Sequence, residues 1–515
     1  MTSSSPIALL RILFFYLSLS FFIFAILTSA TSPTISAAEQ ADALLKWKTS
    51  LHNQSQSLLP SWTLTTNSSS HSYPCNWVGI ICNQLGSVSH IRLEDMGLQG
   101  TLKNFNFTSF PDLVRLILTN FTLFGTIPFQ ISSLSKLRYL SLTDNQLYGE
   151  IPSEISVLTS LRFLSLGGNH LSGSIPSGIG KLRHLTELDL ASNDLSDSIP
   201  SSLGDLCNLT SLKIFGNTLS GYIPLEIGNL KYLTVLHMQN NSLIGSIPST
   251  FGNLTMLTSL YVSNNNLFGT IPLEIGNLVY LFDLDISENL FTGSFPLAFG
   301  NLTNLGQLLL WENQFSGNLP AFIGNLNMLV NLYLTWNQFS GIIPASIGNL
   351  SMLKALDLCC NQFSSSIPRE LRNLRIITSL QIAGNNFSGN LPQQLCVGGS
   401  LQIFAANNNS FTGLIPKGLK NCTSLVRLWL EHNQLNGNIS DSFGSYPYLK
   451  YIDLSNNRLY GEISPIWGQF PNLTYLKMSM NRITGRIPAE LGKSFQLQLI
   501  DLSYNRLVGE IPNEL

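Results

Sequence analysis

The chain has 515 residues, of which only 11% are charged, and a formal net charge of −2, so it carries no basic footprint for nucleic acid. Asn, Ser and Gly supply the polarity instead, a composition suited to a backbone full of turns. Length alone suggests about three domains of ~150 residues, but a short internal period removes that need, because stacked repeats grow without a new core.

Arg11 precedes the apolar run ILFFYLSLSFFIFAIL (Ile12–Leu27), and Thr28-Ser29-Ala30 follows. A charged start, an apolar stretch and small residues predict a secretory signal over 1–30, cleaved between Ala30 and Ala38. The apolar run falls just short of the ~17–25 residues that span a bilayer. No other stretch comes near membrane length, so the mature chain is expected in the secretory pathway and outside the cell, where disulfides persist.

Residues 38–87 read as a separate unit. EQADALLKWKTSL (Glu39–Leu51) has the apolar spacing of an amphipathic helix, and Trp62 in PSW and then PCNWVGIIC follow it. Cys75 and Cys82 bracket Trp77, and a bridge between them would close the first exposed turn of what comes next.

From Val88 to the end the chain repeats itself. With Leu113 as position 1, leucine recurs at positions 1, 4 and 6, asparagine at 9, leucine or phenylalanine at 11, glycine at 13, isoleucine-proline at 15–16 and IGNL at 19–22. Seventeen repeats of 24 residues follow without insertion or deletion, the last cut short, and a slightly longer one precedes them at Val88. One turn cannot bury its own apolar side, so these residues must point inward and stack on the next turn, each buried leucine contributing roughly 1.5–3 kcal/mol. The LxxLxL segment is predicted to be extended and paired in parallel with its copies, ~4.8 Å apart. The asparagine of position 9 should satisfy backbone groups that the bend leaves unpaired. Phenylalanine at position 11 in six successive repeats (Phe291 to Phe411) predicts a ladder of core aromatics.

LxxLxLxxNxLxGxIPxxIGNL, over about 80% of the chain, resembles the plant-specific leucine-rich repeat, and the segment Glu39–Cys82 resembles the N-terminal cap of plant receptor-like kinases. The wording is most similar to the group containing the MALE DISCOVERER-interacting receptor kinases. The resemblance implies an α/β solenoid: a leucine-rich-repeat right-handed superhelix with a parallel concave β-sheet and a convex side of mostly 3-10 and irregular backbone. It also implies a Cys75–Cys82 disulfide. Cys396 and Cys422 occupy positions 20 and 22 of neighbouring repeats, close enough for a second bridge, while Cys207, Cys359 and Cys360 are expected as free thiols. Sequons at Asn53, Asn67, Asn106, Asn120, Asn208, Asn240, Asn253, Asn301, Asn349, Asn386, Asn408, Asn421, Asn438 and Asn472 fit a secreted glycoprotein.

Positions 3, 5, 7, 8 and 10 flank the inward leucines and are free of the scaffold's demands, so they should tile a concave sheet ~80 Å long. On it, between the fourth and tenth full repeats, stand Asp189, Lys213, Phe215, His237, Gln239, Tyr261, Asp283, Asp285, Glu288, Trp311, Glu312, Tyr333 and Trp336. Aromatic anchors among acidic groups point to the binding of an extended secreted peptide, its basic or amide groups facing the acids. Farther along, Arg427, Lys450, Arg458, Lys477, Arg482 and Arg506 outnumber the acids and would face an acidic group or free carboxylate. The position-5 aspartate (Asp285, Asp357, Asp453, Asp501) recurs as part of the repeat wording, which also fits a structural role. The family's paired arginines at positions 5 and 7 are absent from every repeat.

An open sheet has no water-excluding cleft for acid–base chemistry, the seven histidines share no column, and no phosphate-cradling or kinase motif is present. The expectation is a chain that is not an enzyme and holds no cofactor and no metal. It stops at Leu515, position 19 of its repeat, which reads as a truncated product or an ectodomain fragment. The resemblance implies further repeats, a membrane span and a serine/threonine kinase beyond it, and a somatic-embryogenesis-type co-receptor kinase docking near the C-terminal repeats. The competing reading is a secreted binding protein, such as a decoy or an inhibitor of cell-wall-degrading enzymes.

Overall fold

The computed structural model describes residues 35–63, 74–440 and 442–515; the expected signal segment 1–30 and the sequon Asn67 lie outside them. Helix α1, Ala37–Ser50, starts at a reciprocal cap in which the Ser36 hydroxyl accepts from the Glu39 N–H and the Glu39 carboxylate accepts from the Ser36 N–H. Its buried Leu44 and Trp47 face the first turns, and the Trp47 indole donates to the Thr101 carbonyl at 3.0 Å. Trp62 stacks on Trp77 at 5.6 Å and donates to the Val78 carbonyl, so three tryptophans plug the open end of the core. Cys75 and Cys82 are bridged, with their Cα atoms 5.3 Å apart.

Strand β1, Ile80–Cys82, runs antiparallel to β2, Val88–Glu94, and covers that edge of the sheet. Every later LxxLxL segment joins in parallel, giving 19 strands among the described residues. The register never slips: Leu116 pairs with Leu140, Leu140 with Leu164, and so on to Leu476 with Ile500. A one-residue shift would turn the leucines outward, so burial holds the register. The phenylalanines of position 11 form the expected ladder, fully buried, with successive rings 6.1–6.3 Å apart from Phe291 to Phe411.

The asparagine of position 9 ties each repeat to the one before it. The Asn265 amide donates to the carbonyls of Met238, Val262 and Ser263 at 3.1 Å, and its oxygen accepts from the Leu243 N–H at 3.0 Å. Met238 and Leu243 belong to the preceding repeat, so this buried side chain serves two bends at once. The convex turns are five-residue 3-10 helices, such as Leu273–Asn277, entered through the position-16 proline. Where position 20 is glycine they pack too closely for a side chain: a Cβ on Gly228 would strike the carbonyl and Cβ of Thr250 in the next repeat. Where Cys396 takes position 20, the 3-10 turn is lost, and a disulfide to Cys422 joins the two repeats with Cα atoms 5.6 Å apart.

Two features depart from the sequence reading. Before the 3-10 turns, positions 10–14 form lateral sheets of their own, of five, nine and three strands among the described residues, which the sequence reading does not include. In addition, position 8 is not a free letter. Its φ is positive in all seventeen repeats from Leu113 on, including Glu288 (49°), Glu312 (50°) and Trp336 (54°). In the last repeat Leu497, Leu502 and Leu507 are only partly buried.

Candidate functional site

Alternation along each short strand sends positions 4 and 6 into the core and positions 3 and 5 onto the concave face. In the eighth full repeat Leu284 and Ile286 are buried while Asp283 and Asp285 are half-buried on the wall. All thirteen expected ligand-contacting residues lie on this face or its rim. Eleven are half-buried, and Glu312 and Trp336 are exposed, Trp336 by 61%.

The face divides into segments of different chemistry. In the first, Phe215, His237 and Tyr261 form a run of rings: His237 meets Phe215 edge-on at 6.4 Å and stacks on Tyr261 at 4.4 Å with the planes 3° apart. The His237 Nε2 lies 2.9 Å from the Ser259 hydroxyl. Burial, reinforced by the charge of Lys213, lowers the His237 pKa to about 4, so the ring is a neutral stacking platform at ordinary pH. Lys213 in turn faces Glu187 at 3.8 Å.

In the second segment the acids gather. Asp285 is committed locally: it accepts from the Ser287 N–H and hydroxyl and from the Ser263 hydroxyl. Asp189, Asp357, Asp453 and Asp501 likewise accept the N–H two residues on, which gives the recurrent position-5 aspartate its structural role. Asp283, Glu288 and Glu312 form no ion pair among the described residues. One Asp283 oxygen is buried without a partner, and burial raises its carboxyl pKa despite the nearby Gln307 amide. Glu288 is also raised, by burial and then by the charges of Glu312 and Asp285. Tyr333 and Trp311 stand half-buried in the adjoining repeats. Trp336 and Glu312 turn instead to the rim, lining a shallow depression with Leu290 and Gln314.

In the distal segment the cations are partly spoken for. Lys477 lies 3.9 Å from Asp453 and 6.0 Å above the Tyr451 ring, and Arg427 lies 5.7 Å above Trp429. Arg458, Arg482 and Arg506, all at position 10, are exposed in line along the rim. Glu431 among them has its pKa raised to about 7, chiefly by burial.

Cys359 and Cys360 sit beside Asp357 on the same face. Burial and that carboxylate push both thiols up, so they stay protonated and poorly nucleophilic. The sequon asparagines among the described residues are all exposed.

The model of the leucine-rich repeat region matches residues 102–220 and 264–503, and that of the leucine-rich repeat N-terminal domain matches 37–83. The chain belongs to the leucine-rich-repeat family. Among its relatives, the Arabidopsis thaliana leucine-rich repeat receptor-like serine/threonine-protein kinase RGI4 is 42% identical over 120 residues, 23% of this chain and 10% of that protein. The Arabidopsis thaliana MDIS1-interacting receptor like kinase 2 is 42% identical over 116 residues, 22% of this chain and 11% of that one. Each alignment thus spans about a tenth of the curated relative.

Solved structures match this leucine-rich-repeat chain over far more of its length. The ectodomain of the Arabidopsis receptor kinase HAESA, in complex with an N-terminally extended IDA peptide hormone, superposes with a TM-score of 0.82 at 33% identity, covering 93% of this chain and 79% of that one. HAESA with IDA and the co-receptor SERK1 gives 0.68 at 30% identity, covering 92% and 91%.

Proposed function

We propose that this chain is the extracellular ligand-sensing region of a plant receptor-like kinase and that its concave face binds a secreted peptide. The uncompensated acids Asp283, Glu288 and Glu312, set beside Trp311, Tyr333 and Trp336, carry the reading. A cationic group of the peptide would relieve the repulsion of Glu288 by Glu312 and Asp285, satisfy the orphaned Asp283 oxygen and lie against aromatic faces. His237 and Tyr261 offer an uncharged platform for an apolar or amide-bearing residue. Arg458, Arg482 and Arg506 would receive an acidic group at the far end. That the backbone superposes on a receptor solved with a peptide hormone supports a peptide as the ligand. A SERK-type co-receptor kinase would complete signalling, as HAESA is solved with SERK1.

The test is calorimetry on short extended peptides prepared with arginine and with glutamine in its place. Charge reversal of Asp283 and Glu288 to lysine is expected to weaken binding of the arginine form at least about tenfold, ~1.4 kcal/mol, and to leave the glutamine form little changed. Unchanged affinity for the arginine form removes this reading.

A further inference from the structure

One flank of the solenoid carries apolar side chains that neither the core nor the concave face uses. Position 24, in the turn just before each strand, holds Tyr232, Met256, Tyr280, Asn304, Met328, Met352 and Ile376 in successive repeats. Every one but Asn304 is an exposed large hydrophobic, with Tyr232 at 62% and Tyr280 at 57%. Val279 and Phe282 extend the strip, and the Phe282 ring lies over Gly306 of the next repeat. Parallel register aligns these residues in a column ~29 Å long.

These eight residues together expose roughly 800 Å², backbone and the two tyrosine hydroxyls included, about one side of a standard interface. No sequon falls within it: Asn208 and Asn472, the sequon asparagines of the same column, stand beyond its two ends. Asn253, Asn301 and Asn349 lie on the convex side of the buried position-22 leucines.

The order of the column is self-complementary. Three apolar residues stand on each side of Asn304. A two-fold axis through Asn304 therefore sets it against its own copy, Tyr280 against Met328, Met256 against Met352, and Tyr232 against Ile376. The one amide of the strip falls where it meets itself. Asn304 Nδ2 donates to the Val279 carbonyl at 2.7 Å, which leaves its oxygen to face the copy. The strip's neighbouring cations, Lys231, Lys354 and Arg375, lie toward its ends.

We propose that this flank is the interface of a homodimer in which two copies pack side by side and antiparallel, leaving both concave faces open. Because the dyad brings Lys231 near Arg375 of the other copy, added salt screens a repulsion and strengthens the association.

The whole chain, secreted from a eukaryotic host and carrying Cys207→Ser to remove the exposed thiol, is the material for the test. Sedimentation over about 1–100 µM is expected to show a dimer that salt favours and that Met256→Asp with Met352→Asp abolishes while the melting temperature holds. Asn304→Cys is expected to give a disulfide-linked dimer under mild oxidation, and Tyr448→Cys, in the same column beyond the strip, is expected not to. A monomer throughout, with Asn304→Cys linking no faster than Tyr448→Cys, overturns the proposal and leaves the strip to a different protein. A dimer that survives the double aspartate substitution overturns it too, because another face must then hold it.

Discussion

At position 8 the backbone is left-handed in every full repeat, and the residues there divide by how well they tolerate it. Asn120, Asp144, Gly168, Asn240 and Asn264 suit that conformation. Ser192, Glu288, Glu312, Trp336, Cys360, Met480 and Tyr504 suit it less, each at a strain of about 1–2 kcal/mol; at Glu288, Glu312 and Trp336 the proposed peptide contacts would give that strain a use. Trp336→Asn is therefore expected to raise the unfolding free energy by about 0.5–1 kcal/mol while weakening peptide binding; denaturant titration and calorimetry read the two effects. Two other concave residues give stability opposite pH slopes. An unfolded glutamate loses its proton near ~4.3, but folded Glu431 keeps it to about 7. Between these values the folded chain holds a proton that the unfolded chain has lost, so this contribution falls as pH rises. His237 is lowered to about 4, and its contribution falls as pH drops from ~6.5 toward that value. Glu431→Gln is expected to stabilise the chain at pH 7.5 relative to pH 5, as measured by urea midpoints at each pH.

Within the single repeat, the inward columns were legible because burial dictates them: Leu284, Ile286 and Phe291 could be placed from periodicity alone, and all are buried. Other demands were hidden, because they arise between repeats. Nothing local marks the glycine of IGNL as closely packed; the carbonyl that crowds a side chain there belongs to the next turn, although Ser132, Ser156, Arg372 and Lys420 keep their 3-10 turns at the same position. Gly228→Ala is accordingly expected to cost about 1–3 kcal/mol as an overpacking defect, whereas Gly86→Ala, with open space around it and φ of 77°, carries backbone strain alone. A thermal melt of each variant separates the two. The lateral sheets escaped the sequence reading for a similar reason: their pairing partners, such as Tyr222 with Ile244, are joined only by the stacking. Asp197 and Ser365, which replace glycine at position 13, hold the same positive φ (62° and 67°) without loss of the turn.

For the whole molecule, the concave wall could be drawn from five variable columns, but the division of labour within it could not. Asp189 and Asp285, at position 5, accept from the backbone two residues on, as the recurrence of that aspartate suggests, while Asp283, at position 3, has an oxygen with no partner. Both positions face the wall; the difference lies in the bend after position 5, which offers an N–H two residues on. The apolar column at position 24 was missed because each residue in it looks unremarkable until the register sets seven of them in line. The asparagine ladder has one more effect. Asn265 reaches residues 22 and 27 places back, and the asparagine of every other full repeat from Asn145 to Asn505 reaches the same distances, so no such bond skips a turn. Duplicating or deleting a stretch of gene that encodes one whole unit would cut none of these connections without restoring an equivalent one. Wall length is therefore a heritable variable that can change by recombination in steps of ~4.8 Å, and a lineage can lengthen or shorten its recognition surface without having to invent a new fold.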